Sequence, residues 1–322
     1  MSTALIANAT AGQESAPSAQ AREPLAPSPY VSIILPCYNE QDHVTAEVTR
    51  ICAAMDASEY DYELLAFDDG STDETLARLY EAAPEFPHLQ IVHFERNGGS
   101  GTIRRVGTQR ARGDIVVWTD ADMTYPNERI PEFVQMLEKD SHVDQVVGAR
   151  TSEQGTHKVL RVPAKWLIRK LAERLTGSQI PDLNSGLRAF RRQVAQPYLT
   201  LLPSGFSCVT TITLAFLSNH HLVRYVPIEY AKRSGTSKFR LVSDVYRYFL
   251  QVLRMVMYFN PLNVLMPVAL ALLGLGIGKG IFDMAVHPFR FAVNTVLIFL
   301  TGLIIASLAL LADLIVRSRG DT

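Results

Sequence analysis

From Val31 onward, short apolar runs alternate with stretches in which apolar residues return every three or four positions. Val31–Leu35 is a near-continuous apolar run, followed by a polar turn and a helical pattern from about Asp42 to Met55. Tyr62–Phe67, Leu89–Phe94, Ile115–Thr119 and Val143–Val147 are further strand candidates, with helical segments between most of them. Buried strands separated by helices predict parallel pairing and a layered α/β sheet. Ligands of such sheets bind beyond the carboxyl ends of the strands, so the turns there are expected to hold the chemistry.

Two later stretches, Leu262–Phe282 and Phe291–Val316, have a different texture. Each has roughly the 20 apolar residues that cross a bilayer core. Buried core helices are the other reading, and the length and apolarity of Phe291–Val316 argue against it despite Asn294 and Asp313. The first stretch is interrupted by Pro267, several glycines and Lys279, whose stem can reach outward near a helix end. Both are read as spans of a hairpin turning near His287-Pro288.

The flanks set an expected orientation. Arg224, Lys232, Arg233, Lys238, Arg240, Arg247 and Arg254 precede the first span, and Arg317 and Arg319 follow the second; the turn contributes only Arg290. The positive-inside bias puts the α/β region and both termini in the cytoplasm. Arg240, Arg247 and Arg254 recur every seven residues, so residues 240–259 read as a juxtamembrane amphipathic helix, or else as a domain helix with a solvated cationic face. Residues 1–29, rich in Ala, Ser, Pro and Gln, read as a disordered tail. The expected organisation is then a tail at 1–29, a catalytic domain at 30–239, the amphipathic helix at 240–259 and the hairpin at 260–317.

Composition narrows the picture. A formal net charge of −1 over 322 residues excludes a nucleic-acid binder by bulk charge. Cys37, Cys52 and Cys208 form no CxxC pair and no Cys/His cluster, so they read as core or loop thiols of a reducing compartment.

Three turns carry candidate chemistry. Pro36-Cys37-Tyr38-Asn39-Glu40 follows the first strand and differs from the glycine-rich dinucleotide loop. Phe67-Asp68-Asp69-Gly70-Ser71-Thr72-Asp73 follows the second. There Ser71 or Thr72 suits a helix cap, while two adjacent aspartates at a strand end suit the donors of a base or a ribose. Trp118-Thr119-Asp120-Ala121-Asp122 ends the fourth. Alternation in an extended segment puts both carboxylates on one side, where hard oxygen ligands suit Mg2+ or Mn2+ bridging to a diphosphate. Asn97-Gly98-Gly99-Ser100-Gly101 precedes a helix starting near Thr102 with Arg104 and Arg105 in its first turns. It reads equally as a phosphate site at a helix N-terminus or as a connector and cap.

In order, SIILPCYNE, DDGSTD, NGGSGTIRRVG and DADMTYP resemble family-2 glycosyltransferases of the GT-A fold. Val147-Gly148-Ala149-Arg150, Pro181-Asp182-Leu183-Asn184-Ser185-Gly186-Leu187-Arg188 and Arg233-Ser234-Gly235-Thr236-Ser237-Lys238 narrow the resemblance to polyprenyl-phosphate glycosyltransferases, the dolichol-phosphate mannose synthases and their bacterial glucosyl relatives. The resemblance covers about residues 30 to 255, and the two spans resemble the bacterial glucosyl architecture. It implies that Pro36, Tyr38, Glu40 and Asp68 or Asp69 hold the nucleotide, and that Asp120 and Asp122 organise metal and diphosphate. It also implies that Arg233 and Lys238 close over the donor phosphates. Arg150 and Arg161 would receive the acceptor phosphate, and Asp182 would shape the sugar or acceptor pocket. Two positions depart from the pattern. Thr124 stands where relatives often carry glutamine, and Lys165, a further cation for the acceptor phosphate, where they often carry serine.

The implied reaction is an inverting transfer of a hexose from a nucleotide sugar, UDP-glucose or GDP-mannose, to a polyprenyl or dolichyl phosphate at a lipid bilayer. The acceptor phosphate is already ionised and attacks directly. A processive polysaccharide synthase of the same fold would carry a Q-x-x-R-W motif and more spans, which this sequence lacks. A catalytically inactive sugar-nucleotide sensor is the rival of another class, and so is a transferase using a different acceptor. The base, the sugar and the oligomeric state stay open; small residues such as Gly274 and Gly278 offer a packing face for a homo-oligomer.

Overall fold

The computed structural model describes residues 28–151, 169–170, 172–173, 177–205, 207–231, 250, 253, 257–258, 261–287 and 292–320. The expected tail as far as residue 27, the amphipathic helix apart from four positions, Arg161, Lys165, Arg233 and Lys238 all lie outside the described residues.

A seven-stranded sheet forms the centre. Its strands are β1 (Val31–Cys37), β2 (Tyr62–Asp68), β3 (Leu89–His93), β4 (Ile115–Trp118), β5 (Val143–Arg150), β6 (Arg188–Arg191) and β7 (Leu222–Ile228), in the order β3-β2-β1-β4-β6-β5-β7. β1 pairs in parallel with β2 and β4, and β5 with β7. The sheet is mostly parallel, as expected; the exception is β6, a strand the sequence pattern does not announce, which runs antiparallel to both β4 and β5. Its four residues, Arg-Ala-Phe-Arg, show no apolar run, and they form a strand because their neighbours offer ladder partners on both sides.

Helices cover the two faces. On one side lie α1 (Val44–Asp56), α2 (Thr75–Ala82) and α4 (Ile130–Lys139), packing Val48, Ile51, Leu79, Phe133 and Leu137 against Ile33, Leu35 and Val117. On the other lie α3 (Ser100–Arg110) and α5 (Cys208–Ser218), packing Ile103, Ile212 and Phe216 against Ile34, Phe67 and Trp118. The switch of face between Ile33 and Ile34 is the period-two alternation of a strand buried on both sides. All three cysteines are buried and free.

At the amino ends of the strands, the buried carboxylate of Glu63 ties four segments together. It accepts from the Ser32 hydroxyl (2.6 Å), the Gln90 amide (3.2 Å), and the Arg112 backbone N–H and guanidinium (2.8 Å each). Burial opposes its ionisation, but the Ser32 and Arg112 donors more than offset this and hold the carboxyl below its ordinary value.

Two long helices complete the chain, α6 (Pro261–Val286) and α7 (Val293–Gly320). Both are long and apolar enough to cross a bilayer, and only 17% of each apolar window is buried against protein. Leu275, Ile281, Phe282 and Leu314 face outward, as lipid contact requires. Lys279 does not reach outward alone. Its ammonium donates to Asp283 at 2.9 Å, and Asp283 also accepts from the Ala292 N–H at 3.1 Å and the Thr295 hydroxyl, stitching the hairpin near its turn. Gly274 and Gly278 have open space around them, whereas the helices touch at Gly276, opposite Phe299. At its foot, Val264 of α6 packs with Ile180, Leu183, Leu214 and Leu217.

Glu63→Gln is expected to lose about 1–3 kcal/mol at neutral pH. Because the folded carboxyl titrates below the unfolded one, its contribution is present above the unfolded value near about 4.3 and disappears as pH falls through the folded value. Thermal unfolding in detergent should therefore show the gap between wild type and variant closing below about pH 4.

Candidate functional site

The turns beyond β1 and β2 are zipped to each other. The Asn39 N–H donates to the Ser71 hydroxyl (3.0 Å) and the Thr72 N–H to the Asn39 side-chain oxygen (2.8 Å); the Glu40 N–H donates to Thr75 (2.8 Å). Asn39 has φ +54°, a left-handed conformation that asparagine tolerates. Pro36 is half-buried beside the turn, while Tyr38 stays exposed at 46%, its ring open for stacking.

The adjacent aspartates, equivalent in the sequence, have different surroundings. Asp69 accepts from the Gly98 and Gly99 N–H groups at 2.7 and 2.9 Å, so its carboxylate holds the glycine loop. Burial pushes its carboxyl up, although the two amides favour the ionised form. Asp68 is fully buried; Oδ2 meets His93 Nδ1 at 2.8 Å and the Ser71 N–H at 3.3 Å, while Oδ1 is buried with no hydrogen-bond partner. Burial of the neighbouring Cys37, and after it the nearness of Asp68, push that thiol well up, so it is a core group.

The glycine loop is a connector. Its amides are spent on Asp69, and the Gly101 and Thr102 N–H groups at the start of α3 donate to the Ser204 carbonyl at 2.7 and 3.3 Å. Of the two readings of this helix end, phosphate site or connector and cap, these contacts fit the second.

β4 stops at Trp118, so Asp120 and Asp122 sit in a loop rather than in an extended strand, and separate partners orient them. Arg104, fully buried on α3, donates from Nη2 to Asp120 Oδ1 at 2.5 Å. Asp122 Oδ1 accepts from the Thr124 hydroxyl at 2.5 Å and from its N–H at 3.3 Å. Thr124 thus restrains the second carboxylate. The next turn holds Met123 at φ +59°. Buried Glu47 of α1 secures it, accepting from the Met123 N–H at 3.0 Å and the Asn127 amide at 2.7 Å, while Arg50 bonds both Glu47 and the Tyr125 carbonyl. Burial pushes the Glu47 carboxyl up.

A second group adjoins this loop. Arg150, at the end of β5, donates to Asp182 from Nε at 2.6 Å and from Nη2 at 3.0 Å. Burial opposes the Asp182 charge, but Arg150 more than offsets it and holds the carboxyl below its usual range. Arg150 also lies over the Tyr230 ring at 5.2 Å. Tyr230 packs on Tyr125, whose hydroxyl accepts from the Gly186 N–H at 2.7 Å, and the Ala231 N–H donates to the Thr124 carbonyl at 2.9 Å. The structure therefore joins Asp120, Asp122, Arg150 and Asp182 through Tyr125 and the loop around Gly186.

Sequence reasoning passed over Glu47, His93, Tyr125 and Gly186, and gave Arg104 a different partner. Glu47 had a signal: it lies on the stripe of Val44, Val48 and Ile51, where a carboxylate needs a buried partner. Among the described residues no group of three or more His, Cys, Asp or Glu could form a metal cage. Two carboxylates nonetheless fit Mg2+ or Mn2+, which are held by one or two carboxylates while substrate phosphates and water complete the shell.

Comparison with known proteins bears on the same residues. The family model "Glycosyl transferase family 2" matches residues 32–199, and "GtrB C-terminal hairpin" matches residues 260–318. The undecaprenyl-phosphate 4-deoxy-4-formamido-L-arabinose transferase of Pseudomonas fluorescens (strain Pf0-1) is 31% identical over 256 residues, covering 77% of this chain and 70% of that protein. Its namesake from Enterobacter sp. (strain 638) is 33% identical, covering 67% of this chain and 65% of that one. Among solved structures, glucosyl-3-phosphoglycerate synthase from Mycobacterium tuberculosis with UDP matches at TM-score 0.56 and 20% identity, covering 71% of this chain and 80% of that one. The same synthase with Mn2+, UDP and glucosyl-3-phosphoglycerate matches at TM-score 0.54 and 21% identity, covering 71% and 79%. At these identities the likeness is one of fold.

Gly186 tests the geometry most directly. A Cβ there would sit 2.6 Å from Asp120 Oδ2 and 3.1 Å from the Tyr125 ring. Gly186→Ala is expected to displace the Asp120 carboxylate, lowering activity about 10-fold or more while costing about 1–3 kcal/mol of stability. Steady-state kinetics and thermal unfolding of the same preparation separate the two effects.

Proposed function

This chain belongs to glycosyl transferase family 2, and we propose that it transfers a sugar from a nucleotide sugar to a polyprenyl or dolichyl phosphate at a membrane. The observation that carries the reading is the position of the Arg150–Asp182 pair. Asp182 lies between Ile180 and Leu183, which pack in one apolar cluster with Val264 at the foot of the hairpin. This arrangement supports an acceptor phosphate carried by a lipid, with its hydrocarbon tail leading toward α6.

The proposed roles follow from the contacts. Pro36, Tyr38, Glu40 and Asp68 hold the nucleotide, and Asp69 keeps the glycine loop closed behind it. Asp120 and Asp122 would hold Mg2+ or Mn2+, which supplies positive charge to the departing diphosphate when bound. Asp182 takes one edge of the Arg150 guanidinium. The acceptor phosphate takes the remainder or displaces Asp182, with Arg161 and Lys165 as further cations. Arg233 and Lys238 close over the donor from the segment after Tyr230.

The reaction is a single displacement. An oxygen of the ionised acceptor phosphate forms the new bond to the anomeric carbon as the bond to the nucleoside diphosphate breaks, with inversion. No general base is required, and the protein contributes alignment and charge. In this reading residues 30–239 form the catalytic domain, and the positive-inside bias of the hairpin's cationic flanks favours a cytoplasmic side for it and for both termini.

The direct test is transfer of label from UDP-glucose, GDP-mannose or nucleotide-activated 4-deoxy-4-formamido-L-arabinose, each separately, to undecaprenyl phosphate in detergent with Mg2+ or Mn2+. A chloroform-soluble product supports the reading and identifies the donor. Folded, nucleotide-binding protein that gives no product with any donor counts against it. With the active donor, Asp122→Asn is expected to lower kcat about 100-fold or more. Full activity of that variant with the metal chelated would refute the mechanism.

A further inference from the structure

Behind Asp120 the interior holds two guanidinium groups. Arg104 of α3 lies 5.7 Å from the centre of the Trp118 ring, and Arg188 of β6 lies 6.0 Å from the same centre. Both side chains are fully buried. Asp120 is the only carboxylate ion-paired to either among the described residues. Arg188 has only neutral partners, donating to the Val209 carbonyl at 3.0 Å, the Thr213 hydroxyl at 2.8 Å and the Ser185 carbonyl. The Nε atoms of both arginines are buried without a hydrogen-bond partner.

The charge balance of this pocket is therefore positive. Burial and then the nearby Arg104 charge lower the Arg188 guanidinium to about 10, which leaves it protonated at neutral pH. Burial works against the Arg104 charge, but Asp120 overrides it and holds that guanidinium above its ordinary value. The β ladder pairs Trp118 directly with Arg188, so the excess charge is fixed by the sheet at the root of the aspartate loop.

We propose that Arg104 is a positioning residue for Asp120, and that Arg104 and Arg188 form a built-in positive charge that shares with the divalent cation the binding of the nucleoside diphosphate. The proposal rests on the reading of Asp120 and Asp122 given above. Arg104 holds Asp120 by Oδ1 and turns Oδ2 toward Gly186, while partly cancelling the negative charge a metal would meet. The site thus binds a free cation less tightly than two unpaired aspartates would, and binds the diphosphate more tightly than the aspartates alone would allow.

The test uses the full-length protein in detergent with two binding readouts and no turnover: free Mn2+ followed by electron paramagnetic resonance without nucleotide, and calorimetric binding of UDP and of GDP in EDTA. Arg104→Gln is expected to tighten Mn2+ about fivefold or more, with Arg104→Lys within about twofold of wild type. Asp120→Asn, which leaves both guanidiniums uncompensated, is expected to bind the preferred nucleotide in EDTA about threefold tighter or more. It decides the matter alone if Arg104→Gln does not fold. Unchanged or weakened Mn2+ binding in folded Arg104→Gln, or unchanged nucleotide binding in Asp120→Asn, overturns the proposal. A wild type that binds neither Mn2+ nor nucleotide overturns the reading of the site itself, and the proposal with it.

Discussion

Acidic side chains at the carboxyl edge of the sheet hold that edge in shape. Loops leaving parallel strands carry backbone N–H groups that no ladder satisfies, and a buried unpaired donor is costly. Here carboxylates answer that need: Asp69 for the glycine loop, Glu47 for the Met123 turn, and Asp182 for Arg150 and the Asn184 N–H. Each bond joins segments far apart in the chain or fixes a tight turn between them. The shape of this edge is a consequence of that lacing, and the residues expected to meet a substrate are held by residues that are not.

This explains what was legible in the sequence. Near-continuous apolar runs identify buried strands, and their spacing identified five of the seven together with the face on which ligands gather. β6 and β7 escaped because Arg188-Ala-Phe-Arg191 and the segment containing Arg224 and Pro227 carry no such run; their pairing is set by neighbours. The candidate residues Asp120, Asp122, Arg150 and Asp182, which the fold brings into one neighbourhood, were legible through motifs in a fixed order, but their individual contacts were not. A carboxylate at a strand end can meet a ligand, close a loop or balance an arginine, and only the surrounding contacts distinguish these uses. Asp68 and Asp69 are adjacent and chemically identical, yet one faces His93 and the other two glycine amides.

Arg104 illustrates the same limit from the cationic side. At the start of a helix after a glycine-rich turn it reads equally as part of a phosphate site or of a connector and cap. In the folded chain it points inward to Asp120, because α3 packs its first turn against the Ser204 carbonyl and turns that face toward Trp118. A residue that appears to await a substrate is already engaged.

The packing of Val264 against the apolar cluster that includes Ile180 and Leu183 has a mechanical meaning. An enzyme tethered to a bilayer by a slack linker samples many heights and tilts, and must find its lipid partner in each. Here Val264 of the hairpin packs against the same apolar cluster as Ile180 and Leu183, so side-chain packing, and not a tether alone, relates the hairpin to the segment that carries Asp182. Such an arrangement behaves like a tool mounted on its workbench. A headgroup diffusing in two dimensions arrives at a fixed elevation, and the only search left is lateral.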